Sequence, residues 1–159
     1  MNELPDDATL QEWFVRLTTF QKNRFHPLVW INGSPKIGEG TFIGAMSEVN
    51  AKEASVNIGC NCDIASFVSI NVADSHKRCI GLNDAIQRRD IEIGDCVFIG
   101  SHTLVKGGAC IGHHSVVAAG SIVEAVVIPP YSLVFGNPMQ LKAGYYKEKL
   151  QAAGKTVDD

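Results

Sequence analysis

The sequence predicts an all-β solenoid, in which short strands wind into a parallel β-helix. Three observations support this. An aliphatic residue returns at every sixth position from Ile93 to Val123, a small or β-branched residue often lies two positions earlier, and glycine often follows. Side chains two apart share one face of a strand, so each hexad offers an inward-facing pair. A helical stripe would instead recur at three and four residues.

The aliphatic positions, here called anchors, fall into three blocks. They are Ile31, Ile37, Ile43 and Val49, then Ile58, Ile64 and Ile70, and then Ile93, Ile99, Val105, Ile111, Val117 and Val123. Stacked coils cover each other's open edges, so the core grows along one axis and its two ends need caps.

A helix is predicted at the amino-terminal end of the rod, from Asp7 to Asn23. Its apolar side would be formed by residues at helical spacing, namely Leu10, Trp13, Phe14, Leu17 and Gln21. Asp6, Asp7 and Thr9 are the candidate N-caps.

The carboxy-terminal end is predicted to leave the coil and close with a short helix. Pro129-Pro130 ends regular strand pairing, Gly136-Asn137-Pro138 turns the chain, and Leu141 to Ala153 reads as that helix. The length of 159 residues suits one domain. We expect a helical cap over 1–27, a β-helix over 28–130 and an extension over 131–159.

Two phase breaks interrupt the repeat, and the second is the more informative. Nine residues separate Val49 from Ile58, whereas twenty-three separate Ile70 from Ile93. The second gap must leave the coil, as an excursion loop over about 75–90 that is polar and carries charges of both signs. Long excursions from compact repeats are often functional, so a site is expected there.

Composition excludes several classes of partner. The formal net charge is −3 and the basic residues are scattered, so no stripe exists to follow a nucleic-acid backbone. No stretch approaches the roughly 18 apolar residues that a membrane span needs. The acidic start and the five cysteines, an odd number without a disulfide framework, lead us to expect a cytoplasmic protein with free thiols and no membrane insertion.

The repeat resembles that of the hexapeptide-repeat acyltransferases. Ile93 to His102 and Val117 to Val123 look like their carboxy-terminal coils, while Pro129-Pro130-Tyr131 and Gly136-Asn137-Pro138 are similar to their exit. The excursion is similar to that of the galactoside, maltose and xenobiotic O-acetyltransferases and of nucleotide-sugar N-acetyltransferases. The resemblance implies a left-handed coil, against the usual right-handed crossover, a homotrimer, and acetyl-CoA bound along coils between adjacent subunits.

The same resemblance implies that His76 is the catalytic base. Related sugar and xenobiotic transferases carry their catalytic histidine at this position, with one residue fewer before it. Transfer from a thioester to a hydroxyl requires removal of the acceptor's proton, for which imidazole is suited. Asp74 would orient His76 or bind a sugar hydroxyl or amine, and Asn71 would hydrogen-bond the acceptor. The alternative for His76 is an ordinary polar loop residue.

Coenzyme contacts are expected at two places. Backbone N–H groups at Gly100-Ser101 are candidate donors to the oxyanion. By resemblance, Ser101 and Ala119 would contact the pantetheine arm and Lys142 a coenzyme phosphate, although small corner residues and a solvated lysine are the plainer interpretations. Glu124-Ala125 and Gln140 depart from the family pattern and leave the adenosine end open. No metal is expected, because Cys60 and Cys62 supply only two of the four ligands of a closed zinc site.

The sequence therefore predicts transfer of an acetyl group from acetyl-CoA to a hydroxyl or amine of a sugar, such as a nucleotide-linked sugar or a polysaccharide precursor. Two alternatives remain. One is a metal-dependent enzyme resembling the gamma-class carbonic anhydrases, suggested by four histidines, His76, His102, His113 and His114. The other is a β-helical scaffold without catalytic activity.

Overall fold

Three sheets form the sides of a triangular rod in the computed structural model of the chain, which describes residues 6–18 and 22–157. Their strands are parallel except for the last strand of the third sheet, which is antiparallel to its neighbour. The strands make a β-solenoid of about five turns that matches a left-handed β-helix, so the predicted fold is confirmed. Gln21, which was predicted to belong to the first helix, lies outside the described residues.

The strands are short and follow one another around the rod. In chain order they are β1 Trp30–Gly33, β2 Lys36–Ile37, β3 Phe42–Ile43, β4 Glu48–Ala51, β5 Val56–Ile58, β6 Asp63–Ile64, β7 Ser69–Asn71, β8 Ala73–Asp74, β9 Gln87–Arg88, β10 Ile91–Ile93, β11 Phe98–Ile99, β12 Leu104–Lys106, β13 Cys110–Ile111, β14 Val116–Val117, β15 Ile122–Val123, β16 Val127–Ile128, β17 Leu133–Phe135 and β18 Gln140–Lys142. The first sheet has the order β1-β4-β7-β12-β15, the second β16-β13-β10-β5-β2 and the third β18-β17-β14-β11-β6-β3. Strands β8 and β9 form a separate antiparallel pair.

The strand register explains the six-residue period. Where the repeat is unbroken, paired anchors lie 18 residues apart, as Ile93 and Ile111 do, which is one hexad for each side of the rod. Val49 pairs with Ile70 across 21 residues, and Ile70 pairs with Val105 across 35. The phase breaks are therefore insertions at a corner, and the anchors stay stacked across them. Both insertions lie at the same corner, where the first sheet leads into the second.

The anchors form the core, as the sequence predicts. Twelve of the thirteen are buried with 0–7 % of their surface exposed, and Ile37, near one end of the rod, is half-buried and packs against the others. Complete burial of such a side chain stabilises a fold by about 1.5–3 kcal/mol. The core also includes Ile128 and Val134, which lie beyond the last predicted anchor. The six-residue count did not identify them, because Ile111 pairs with Ile128 across 17 residues and not 18.

Helix α1 spans Asp7–Leu17 and contacts the first coil. Asp6 is its N-cap, since the carboxylate accepts a hydrogen bond from the backbone N–H of Thr9 at 2.8 Å. The predicted end at Asn23 is wrong, because Thr18 is extended and its hydroxyl caps the carbonyl of Phe14 at 2.7 Å. The Phe14 ring stacks on Trp30 of β1 at 6.1 Å.

The predicted helix from Leu141 is also wrong at its start. Gly136 adopts a left-handed conformation with φ of 85°, and the chain reverses so that β18 pairs antiparallel with β17. Helix α2 covers His76–Cys79, within the excursion, and α3 covers Lys147–Ala152. No helix within residues 6–18 or 22–157 has both the length and the apolar character of a membrane span.

Candidate active site

The excursion begins directly after the inward-facing Ile70 of β7. The side-chain oxygen of Asn71 accepts the N–H of Ala73 at 2.8 Å, which turns the chain outward into the β8–β9 pair that flanks α2. Such a short-range bond from an asparagine to the backbone two residues on is a common way to start a turn. His76 is the first residue of α2 and therefore projects at the base of the excursion.

The first insertion supports the second. Arg88 of β9 donates its Nε hydrogen to the carbonyl of Lys52 at 3.0 Å, and its Nη1 lies 3.3 Å from the carboxylate of Glu53. At the end of the excursion, Asp90 accepts the N–H of Ser55 at 2.8 Å. The three-residue insertion after β4 is thus a platform on which the excursion rests.

His76 and Asp74 form a hydrogen-bonded pair. The Nδ1 atom of His76 lies 2.5 Å from Oδ1 of Asp74, and the same oxygen accepts the backbone N–H of His76 at 3.1 Å. The backbone bond, followed by the ring bond, lowers the pKa of Asp74 below its ordinary value, so the carboxylate is ionised near neutral pH. In the tautomer that donates Nδ1–H to this carboxylate, Nε2 is the nitrogen that can accept a proton. The His76 side chain is 58 % exposed, within reach of a substrate.

Asn71 belongs to a row of polar side chains at the end of the first sheet's strands. Asn32, Asn50 and Asn71 are in register, and the amide of Asn50 donates to the Asn71 side chain at 3.1 Å. The next residue in the row is Lys106, whose Nζ lies 2.7 Å from the carboxylate of Glu124. Sequence reasoning missed Asn50 and Lys106, because their alignment with Asn71 depends on the lengths of the two insertions.

Two adjoining cavities surround these residues. The smaller, of about 190 Å³, is lined by Asn71, Asp74, Arg89 and Lys106 among others. The larger, of about 480 Å³, shares Asp74, Arg89 and Lys106 with it and extends to His76 and Lys77. The structure therefore brings the three predicted residues of the acceptor site together around one open cleft.

The predicted coenzyme residues lie at a different corner, between the third sheet and the first. A Cβ atom at Gly100 would approach the backbone nitrogen of Ala119 to 2.4 Å, so glycine permits close stacking of the two coils. The prediction for the Gly100 N–H needs correction, because that group donates to the carbonyl of Val117 at 2.8 Å. The N–H of Ser101 makes no backbone hydrogen bond within the described part of the chain, and its carbonyl accepts from Gly120 at 2.9 Å.

One chain does not bring this corner next to His76. Ser101 and His102 form the turn before β12, and Lys106 ends that strand, so the two corners lie at opposite ends of one side of the rod. The gap has to be crossed by a ligand or supplied by a second chain.

Lys142 lies in a cluster of basic and aromatic residues near the carboxy terminus. Its Nζ is 5.5 Å from the ring centres of both Phe135 and Tyr145. Lys149 donates to the Tyr145 hydroxyl at 2.9 Å, and this bond, with the charges of Lys149 and then Lys142, lowers the pKa of Tyr145. Sequence reasoning did not find Lys149 or Tyr145, since the turn that precedes α3 brings them beside Lys142.

The remaining histidines lie away from the excursion. His102 stacks on Phe67 with ring centres 4.9 Å apart, at the corner of Ser101. His113 and His114, at the corner between the second and third sheets, have their Nδ1 atoms 2.9 Å apart. Within residues 6–18 and 22–157, no three histidine, cysteine or acidic side chains are grouped so as to hold a metal ion.

Comparison with known proteins finds curated relatives that include an N-succinyltransferase and an O-acetyltransferase. No family model matches the sequence. The chain is 25% identical over 137 residues to 2,3,4,5-tetrahydropyridine-2,6-dicarboxylate N-succinyltransferase of Xylella fastidiosa, covering 77% of this chain and 45% of the relative. It is 37% identical over 89 residues to galactoside O-acetyltransferase of Escherichia coli, covering 55% and 43%. The chain spans less than half the length of both relatives.

A solved structure extends the similarity to the whole rod. Maltose O-acetyltransferase from Clostridium difficile is 25% identical, with a TM-score of 0.62, over 89% of this chain and 78% of that one. In sequence and in fold, these comparisons confirm the resemblance to the hexapeptide-repeat acyltransferase superfamily.

Proposed function

We propose that this hexapeptide-repeat protein is an acyl-CoA-dependent transferase, which moves an acetyl group from acetyl-CoA to a hydroxyl or amine of a sugar. The observation that carries the proposal is the His76–Asp74 pair at the mouth of a cleft, on an excursion from a hexapeptide-repeat coil. The names of the galactoside and maltose O-acetyltransferases support a sugar as acceptor. A nucleotide-linked sugar or a polysaccharide precursor is the acceptor class we infer.

The chemistry follows from the free nitrogen of the pair. Nε2 of His76 takes the proton of the acceptor hydroxyl as its oxygen attacks the thioester carbonyl, while Asp74 stabilises the imidazolium that forms. The N–H of Ser101 donates to the tetrahedral oxyanion. When the carbon–sulfur bond breaks, the coenzyme A thiolate leaves and receives the proton from the imidazolium, which restores the base.

The proposal includes a homotrimer with its active sites between adjacent subunits. The separation of the Ser101 and Ala119 corner from His76 along β12 supports this arrangement, because a neighbouring subunit would supply the missing half. Lys142, together with Lys149 beside it, would then bind a coenzyme phosphate.

The test is release of free thiol from acetyl-CoA in the presence of a panel of sugars, amino sugars and nucleotide sugars. We expect His76→Ala to lower turnover on the order of a hundredfold or more, because removal of a general base usually has that effect. Binding of acetyl-CoA, measured by calorimetry, should remain.

The matched control is His114→Ala, which removes an exposed histidine at another corner and should leave turnover unchanged. A loss of only severalfold in His76→Ala would exclude an essential base and would favour an amine acceptor, which needs less help once neutral. No thiol release with any acceptor would contradict the proposed activity.

A further inference from the structure

The cleft beside His76 is positively charged, although the chain as a whole has a net charge of −3. Its larger cavity is lined by four cationic side chains, and Asp74 is the one carboxylate among its lining residues. The cationic residues are Lys77, Arg88, Arg89 and Lys106. A cleft walled by one sign of charge concentrates ligands of the opposite sign.

Two of these cations already have carboxylate partners. Arg88 pairs with Glu53 at 3.3 Å, and Lys106 pairs with Glu124 at 2.7 Å. Asp74 is engaged with His76 and accepts two hydrogen bonds from it. The charge that remains in the cleft is therefore that of Lys77 and Arg89, neither of which has a carboxylate within 4.0 Å in the part of the chain the structure describes.

Backbone hydrogen bonds fix the main chain of both unpaired cations, Arg89 and Lys77. The N–H of Arg89 donates to the carbonyl of Val72 at 3.1 Å, and its side chain crosses the coil corner, where a Cβ at Gly108 would lie 3.5 Å from Nε. The carbonyl of Lys77 accepts the N–H groups of Leu82 and Asn83, at 2.8 and 3.2 Å. Arg89 reaches the cleft from the coil side and Lys77 from the helix side.

We propose that Arg89 and Lys77 bind an anionic group, a carboxylate or a phosphate, on the acceptor, close to the hydroxyl or amine that is acetylated. The inference rests on the proposed function and narrows its substrate class to acidic or phosphorylated sugars. Arginine offers two parallel donors to such a group, and lysine adds a point charge. The phosphates of coenzyme A lie at the far end of the pantetheine arm from the thioester, so an anion beside His76 belongs to the acceptor.

The test compares sugars with derivatives of them that carry one anionic group. Galactose, galacturonate and galactose 1-phosphate form one set, and glucosamine with glucosamine 6-phosphate forms another. We expect kcat/KM for a charged acceptor to exceed that of its neutral match by about tenfold or more, and the advantage to shrink as salt rises. Galacturonate and galactose 1-phosphate separate the carboxylate from the phosphate.

Arg89→Gln and Lys77→Gln should remove this preference by raising KM for the charged acceptor roughly tenfold, while kcat/KM for galactose falls less. Arg78→Gln is the control, because Arg78 is exposed on the same short helix and does not line the cleft. Thermal unfolding of each variant shows whether the fold is intact. Equal use of charged and neutral acceptors, or an equal loss for both in Arg89→Gln, would overturn the inference and leave the transferase proposal standing.

A second measurement can support the anion site even if the proposed acetyl transfer fails. Calorimetry with galactose 1-phosphate should show binding to the unaltered protein that weakens in Arg89→Gln. If that binding occurs while no sugar supports thiol release, the anion site stands and the proposed transfer fails. If galactose 1-phosphate binds equally to both proteins, Arg89 is not the anion ligand.

Discussion

His76 is restrained at one ring nitrogen and open at the other, and this asymmetry supports the proposed role of His76 as a base. The carboxylate of Asp74 receives both the ring and the backbone N–H of His76, so the two residues act as one unit. The pKa of Asp74 is lowered by these bonds. Since the folded pKa is below the unfolded one, their contribution to stability is fully present above the ordinary value of 3.8 and is lost as pH falls through the folded pKa.

Replacement of Asp74 by asparagine tests this positioning role. An amide can present its NH₂ group to Nδ1, which would move the ring proton to Nε2 and leave no base toward the acceptor. We expect Asp74→Asn to lower kcat about a hundredfold or more with little change in KM for acetyl-CoA.

The matched variant Asp74→Glu keeps the charge and should recover part of the loss. A rise in KM with kcat unchanged would instead assign Asp74 to substrate binding, which is the other role that the sequence suggested. Steady-state kinetics with varied acetyl-CoA and varied acceptor distinguishes the two.

For single residues, the sequence predicts contacts between residues close together in the chain better than contacts between residues far apart in it. Asp74 and His76 are two residues apart, so their contact needs only a local turn. Lys106 joins them through strand pairing across 35 residues, and Arg89 through the hydrogen bond of its N–H to the Val72 carbonyl, and for both the length of the excursion had to be known.

At the scale of elements, the excursion is a separate hairpin that rests on the smaller insertion of the preceding coil. Sequence periodicity located both insertions but gave no reason for them to meet. They meet because both occur at the corner between the first and second sheets, in coils that stack directly. Arg88 is the principal link, with its side chain only 20 % exposed.

Removal of that link should loosen the excursion without unfolding the rod. Arg88→Ala loses a charge-assisted bond to the Lys52 carbonyl, worth about 1.5–3 kcal/mol, and an ion pair to the exposed Glu53, worth at most about 1 kcal/mol. We expect faster amide hydrogen exchange across β8, α2 and β9, and a severalfold drop in kcat, while the coil strands exchange as before.

Arg78→Ala makes the same change of charge on an exposed side chain and should alter neither measurement. If Arg88→Ala accelerated exchange equally in the excursion and in the coil strands, the hairpin and the rod would be one cooperative unit, contrary to this description.

For the whole molecule, the six-residue repeat predicts far more of the observed structure than any single motif does. A period of six, with three hexads per turn, accounts for the 18-residue pairing of Ile93 with Ile111, and hence for the stacked core. The ends were harder to predict because they lack the repeat. The Leu10 to Leu17 spacing fits a helix, but its length is decided by Thr18, and Leu141 joins a strand because the turn at Gly136 directs it onto β17.

Assembly is the property of the whole molecule on which the proposed site depends most. If each site combines His76 of one subunit with the Ser101 and Ala119 corner of the next, two inactive variants should complement each other. His76→Ala removes the base, and Ala119→Trp blocks the corner with a large ring. Each should be inactive alone, and light scattering should give a mass three times that of one chain for both.

Co-expression of the two variants would then restore activity, because about a quarter of the interfaces in randomly mixed trimers would join an intact base to an intact corner. The control is the same mixture prepared from separately folded trimers, which should stay inactive. If the co-expressed variants were as inactive as each variant alone, one chain would hold the entire site, with a ligand spanning β12. A monomeric mass in light scattering would exclude the shared site directly.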